Sequence, residues 1–350
     1  MQITEILTPY YEVAWLPWAV QYFFLIGLAA TSALVAAACA FSRPGSDWDR
    51  VQPAVMTLLI VCAIAAPVSL LADLHQPGRF WHFYVNFTPW SWMAWGALLL
   101  PVFTMLSLLF AALWWFGQRR FQRVAGALLV VSAISILIYT GAEIMILRSR
   151  VLWHTWLVPV NFALTAWLST VGGILLVARF LPRSFPALPR GPVLTMGLAA
   201  SAGLAIAAFA WVLLGLSGLD ASFPFAYALF AEYPVWRTGL VGSLAAGAVI
   251  LVMLWLWSVR DRGQPFRLAL AFAMLASAWM FRWVVLMSVQ SVPKYGAGLY
   301  LYTMPLGGDG LMGMLGMFGL CAALIAMLTF GLTLYPQSPF RSRASAHPAN

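Results

Sequence analysis

The chain is dominated by nine long apolar runs, at roughly 14–41, 52–73, 90–116, 122–147, 152–180, 192–219, 234–258, 266–290 and 310–335. Each meets the ~20 mostly apolar residues that carry a helix across the hydrocarbon core. None is built from the ~10-residue alternating segments of a membrane barrel. The pattern predicts an all-α polytopic membrane protein with about nine transmembrane helices. "LPRSFPALPRGP" at 181–192 is the strongest break. It predicts an N-terminal helical bundle over 1–181 and a C-terminal bundle over 191–335. The polar stretch from 336 to 350 predicts a disordered tail. No internal repeat is visible.

Composition agrees with a lipid solvent. Hydrophobic residues make up 63% of the 350 and charged residues 8%, against about 25% charge in soluble domains. The 18 Trp suit interfacial belts, where the ring is apolar and its N–H wet. Cys39, Cys62 and Cys321 lie inside apolar runs without metal-ligand spacing and read as small buried hydrophobes. The first run is too long for a signal peptide, and Glu5 and Glu12 precede it, so no cleaved leader is expected.

The net charge of +9 is spread over short loops and does not point to nucleic acid. It sets orientation instead. Thirteen arginines fall on one side: Arg43, Arg50, Arg119, Arg120, Arg123, Arg179, Arg183, Arg190, Arg260, Arg262, Arg267, Arg341 and Arg343. The other side carries Arg79, Arg148, Arg150 and Lys294. The positive-inside rule then places the C-terminus inside and the N-terminus outside.

With that topology the unusual polar residues gather at the outer surface. Asp73, His75, Arg79 and His82 follow the second run, packed among Phe80, Trp81, Phe83 and Tyr84. Trp18, Gln21 and Tyr22 open the first run at i, i+3, i+4 and share a face. Ser132, Ser135, Tyr139 and Glu143 form a polar stripe on the fourth run, and Arg282 and Gln290 lie towards the outside on the eighth. Each has a plain reading. Tyr and His82 fit an interfacial belt, Gln21 interhelical bonding, Arg79 a headgroup contact, the serines bonds to their own helix, and Asp73 an ion pair with Arg79 or Arg282. Together they offer apolar walls, donors for carbonyl or hydroxyl oxygens, and groups that accept protons. A quinol fits that mixture. His75, His82, His154 and His347 lie near loops or in the tail, so haem is not expected, nor is an iron–sulfur cluster without clustered Cys.

At these residues the chain resembles the membrane subunits of the polysulfide reductase/NrfD family. "DLHQPGRFWHF" at 73–83 is similar to that family's Asp-Leu-Gly-x-Pro-x-Arg-Phe-Trp stretch, with His75 in place of the Gly, and "YTG" at 139–141 matches a second. "WLPWAVQYFF", "TPWSWM", "YTGAE", "RWVVLMSVQSVPKY" and "PLGGDG", in that order, resemble the family's tetrathionate-reductase branch. The resemblance implies a quinol-oxidising anchor in the bacterial inner membrane, with no haem or iron–sulfur of its own. It implies menaquinol or ubiquinol as substrate, a four-cluster ferredoxin-like iron–sulfur subunit docked on the periplasmic side, and a molybdopterin catalytic subunit beyond it. Tyr139 is the implied quinone contact, with Trp18, Gln21, Tyr22 and Arg79 around it. Asp73, Glu143 and His75 are the expected proton-handling groups, with His82, Arg282 and Lys294 as possible support. The rival expectations are another terminal substrate (polysulfide, sulfite or nitrite), a secondary transporter, or an anchor with no quinone chemistry.

Overall fold

The computed structural model describes residues 15–74, 76–291 and 303–334. His75, Lys294 and the tail from 336 lie outside the described residues. Regular structure among the described residues is entirely helical. In chain order the elements are α1 (Pro17–Phe41), α2 (Asp47–Asp73), a 3-10 turn (Pro77–Arg79), α3 (His82–Val85), α4 (Trp92–Trp115), α5 (Arg119–Met145), α6 (Leu157–Val177), α7 (Arg190–Leu216), α8 (Ser222–Glu232), α9 (Pro234–Val259), α10 (Gln264–Trp283), a π-helical turn (Val284–Ser288) and α11 (Leu311–Leu334). Among the described residues nine helices are long and apolar enough to cross a membrane, which are all but α3 and α8, with the π turn extending α10.

Helix ends depart from the apolar runs where capping chemistry decides them. The second run begins at 52, yet α2 starts at Asp47. The Ser46 hydroxyl accepts the Asp49 N–H at 3.3 Å, and Asp47 and Asp49 sit in the first turn, where the helix dipole favours negative charge. Pro17 opens α1 at its first turn, where no N–H is needed. Pro101 inside α4 cannot bond the Ala97 carbonyl, and the Tyr84 hydroxyl donates to that carbonyl at 2.9 Å instead. The eighth run reads as one continuous helix, but the structure breaks its α-helical bonding over Val284–Ser288. The loop before α6 supplies donors there: Trp153 Nε1–H to the Val285 carbonyl and Arg150 to the Val289 carbonyl, both at 2.6 Å.

Short loops make successive spans antiparallel, so the loops fall at two ends. At the basic end Arg119 donates to the Ser42 carbonyl (3.2 Å) and to Asp49 (3.1 Å), Arg50 to the Ala187 carbonyl (3.0 Å), and Arg190 to the carbonyls of Trp257 and Ser258. These arginines therefore staple the loops as well as carrying the charge asymmetry. At the opposite end, called the rim below, the Gln290 amide exchanges hydrogen bonds with the backbone of Trp15 (3.3 and 3.1 Å), and Asp220 accepts from Thr155 at 2.6 Å.

α1 is the central post. Its most apolar stretch is 89% buried, against 11% for α9, and it packs on α2, α5, α6, α10 and α11. Close approach needs small residues, as expected where lipid gives no hydrophobic drive between helices. A Cβ on Gly27 would come within 2.9 Å of the Arg282 guanidinium, and one on Gly172 within 2.9 Å of the Ala271 carbonyl. Thr31 and Thr170 share a 2.6 Å hydrogen bond across α1 and α6. The large apolar side chains exposed on α7 and α9, such as Phe209 and Trp255, form faces suited to hydrocarbon.

Candidate functional site

At the rim, α1, α2, α4 and α5 bring polar groups into an apolar interior. Tyr139 on α5 is 4% exposed and reaches across to α4. Gly96 makes that possible: any Cβ at 96 would overlap the Tyr139 hydroxyl and ring. The next residues of the same stretch serve the backbone. Thr140 bonds back to the Ile136 carbonyl at 2.9 Å, and Gly141 lets Pro159 of α6 close on α5.

The Tyr139 hydroxyl hydrogen-bonds with the Tyr22 hydroxyl and the Glu143 carboxyl, and Asp73 lies near Glu143. Direct hydrogen bonding is nevertheless incomplete. Both ends of the Gln21 amide, the Ser69 hydroxyl and one Glu143 oxygen are buried without a partner. Gln21 and Ser69 are wholly buried. Each such group left dry costs roughly 1–3 kcal/mol. Native interiors rarely leave buried polar groups unpaired, and such groups suit a polar ligand or ordered water.

The structure separates other predicted residues from this cluster. Arg79 and His82 are exposed and line a surface cleft of about 450 Å³ with Gln76, Asn86 and Ser91. His82 stacks edge-on against Trp81 at 4.0 Å. Trp18 packs against Gly313 of α11 rather than against Tyr139. Ser135 bonds back to the Val131 carbonyl at 2.9 Å, while Ser132 is buried without a partner.

Arg282 is wholly buried at the junction of α1, α6 and α10. It donates to the carbonyls of Phe23 (2.9 Å), Phe162 (3.1 Å) and Ala278 (3.0 Å) and to the Thr165 hydroxyl (3.0 Å). The Phe24 and Phe162 rings flank it at 5.8 and 5.3 Å. The sequence suggests an acidic partner; the structure shows carbonyl dipoles and one hydroxyl in that role.

Gly96 and Ser69 do not stand out in the sequence. Ser69 is accessible in principle, since it lies one turn before Asp73 on the same stripe of α2. Gly96 is not, because its role depends on which α5 side chain faces it.

A larger cavity than the surface cleft lies elsewhere. It holds about 900 Å³ between α1, α2, α6, α10 and α11, and its lining is almost wholly apolar. Tyr139 and Glu143 do not touch it.

The family described as "Polysulphide reductase, NrfD" matches residues 6–294. The chain is also similar to the C subunit of the tetrathionate reductase of Salmonella typhimurium, with 38% identity over 339 residues, covering 93% of this chain and 94% of that protein. A match over most of the chain, with nine apolar helices beneath it, shows that the chain belongs to the NrfD/polysulfide reductase family of membrane proteins.

Proposed function

We propose that this chain is the quinol-oxidising membrane anchor of a periplasmic molybdopterin/iron–sulfur oxidoreductase, with tetrathionate as the terminal substrate. One observation carries the reading: Gln21, Ser69 and one Glu143 oxygen, towards the rim ends of α1, α2 and α5, are buried without hydrogen-bond partners. A quinol offers two hydroxyl oxygens on an apolar ring, which complements such a site. Its oxidation releases two electrons and two protons, so the site must supply both proton acceptors and a route for electrons.

In this chain Tyr139 and the Gln21 amide hold the quinol oxygens, with Tyr22 and Ser69 beside them. Glu143 takes a proton from the bound hydroxyl, and Asp73, which faces Glu143 electrostatically, passes it to the rim. His75, outside the described residues, follows two positions after Asp73 in sequence and serves the same exit. Arg79 and His82, in their exposed cleft, belong to the docking side, where a ferredoxin-like iron–sulfur subunit receives the electrons and hands them to the molybdopterin subunit. With the rim outside, protons and electrons leave on one side and turnover is electroneutral. The similarity to a tetrathionate reductase protein supports the terminal substrate.

Tyr139→Phe in the assembled complex tests the site. Losing one hydrogen bond to the reacting oxygen should lower kcat/KM for quinol by about 10–100-fold. Reduction of tetrathionate by an artificial dye, which feeds the soluble subunits directly, should be unchanged. Equal loss in both assays would make Tyr139 an assembly residue and remove the site.

A further inference from the structure

The 900 Å³ cavity has no part in the proton and electron chemistry above. Its polar lining is confined to Thr329, Thr333, the thiols of Cys62 and Cys321 and the Trp279 indole N–H. So few polar groups suit a long hydrocarbon chain better than a polar molecule. The cavity is open along α10 and α11, where the lining residues Phe272, Ala276, Phe318, Ala322 and Ala326 are exposed.

Its rimward continuation is polar. On α1, Leu25 and Leu28 line the cavity, and Gln21 lies four and seven residues before them, so all three share one stripe. On α2, Leu58 and Cys62 line it, and Ser69 lies eleven and seven residues after them, again on one stripe. Both stripes thus run from apolar lining to a wholly buried side chain with no hydrogen-bond partner. Trp18 sits against Gly313 at the rim end of α11. An amphipathic molecule with its ring at Gln21 and Ser69 would therefore have its tail directed into the cavity.

We propose that this cavity is the binding channel for the polyisoprenoid tail of the quinol, joined to the head-group site through Gln21 and Ser69. The inference rests on the function proposed above. It adds that the tail enters on the α10–α11 side, across the central post from α5. It also adds that recognition of the long-tailed substrate depends on residues of α10 and α11, helices that carry none of the proton-handling groups.

The test fills the channel without touching the site. Ala276→Phe and Ala326→Phe each add a ring to an exposed lining position, one on α10 and one on α11. The assembled complex in lipid nanodiscs is assayed with a polyisoprenoid quinol, with a tail-less quinol carrying the same head, and with the artificial dye. Each variant should raise KM for the long-tailed quinol by about tenfold and leave the tail-less quinol and the dye unchanged. Equal effects on both quinols would show helix displacement and overturn the proposal. No effect on either quinol, with a phospholipid retained by the wild type and lost from the variants in native mass spectrometry, would assign the cavity to a lipid chain and overturn it too. A wild type that oxidises neither quinol would instead remove the underlying function, an outcome distinct from both.

Discussion

Gly96→Val is expected to abolish quinol-linked turnover almost as fully as deleting the site. The space a Cβ would occupy at 96 already holds the Tyr139 hydroxyl and ring. Two effects compete. Replacing a glycine inside a helix normally favours the helix, by about 1 kcal/mol for alanine. Overpacking a filled contact costs about 1–3 kcal/mol and forces side chains off their rotamers. Here overpacking wins, because the obstacle is an aromatic ring fixed between helices rather than the end of a flexible chain. Tyr139 must swing away, and its hydroxyl leaves the neighbourhood of Tyr22 and Glu143. The expected loss in quinol kcat/KM is about 100-fold, with dye-linked activity retained. Gly96→Ala should give a smaller loss of the same kind. In a Tyr139→Phe background the ring clash remains but the hydroxyl is already gone, so Gly96→Ala should add little further loss of quinol turnover while still lowering stability. Full additivity in that double variant would show that Gly96 acts through something other than Tyr139.

Arg282→Leu should cause the largest loss of stability. Four hydrogen bonds join its guanidinium to α1, α6 and its own helix. Interhelical hydrogen bonds in membranes average near 0.6 kcal/mol, and those from charged donors reach about 1.5–3 kcal/mol in soluble proteins. Removing all four should cost about 2–4 kcal/mol. The Gly27 notch, shaped around the guanidinium, would be left as a void. Arg282→Lys should recover only part, since an ammonium is a point charge and cannot span three helices as a planar fork does. The readout is the thermal unfolding midpoint of the detergent-solubilised complex, which should fall in the order wild type, lysine, leucine. A leucine variant as stable as wild type would show that the arginine is retained for chemistry rather than for packing.

Much of this architecture is legible in the sequence because the solvent is lipid. A span must satisfy its own backbone, so apolar length alone marks a helix, and all nine runs have a helix beneath them. The boundaries are less legible. α2 reaches back to Asp47 through a Ser46 cap that hydropathy does not register. α8 is hidden, because its eleven mostly apolar residues are too few to cross a membrane and lie between two spans. The π turn after Trp283 cannot be read locally, since the donors to its carbonyl region, Trp153 and Arg150, come from another loop.

The candidate site shows the same division. The i, i+4 step from Tyr139 to Glu143 puts both on one face of α5, which spacing alone reveals. That Tyr22 meets them, while Trp18 turns to α11, depends on how α1 is rotated against its neighbours. Arg79 and His82 stand within nine residues of Asp73 in sequence, yet the 3-10 turn and α3 carry them to the surface. Charge at a rim is visible in a sequence, but whether it faces a buried site or a docking partner is settled by the loop.

The most direct measurement is photolabelling of the assembled, membrane-embedded complex with a quinone analogue whose reactive group sits on the ring, followed by peptide mapping. Adducts should fall on the rim segments around Gln21–Tyr22 and Tyr139–Glu143 and disappear with excess quinol. Labelling spread over the lipid-facing helices α7 and α9, unchanged by competing quinol, would contradict the account.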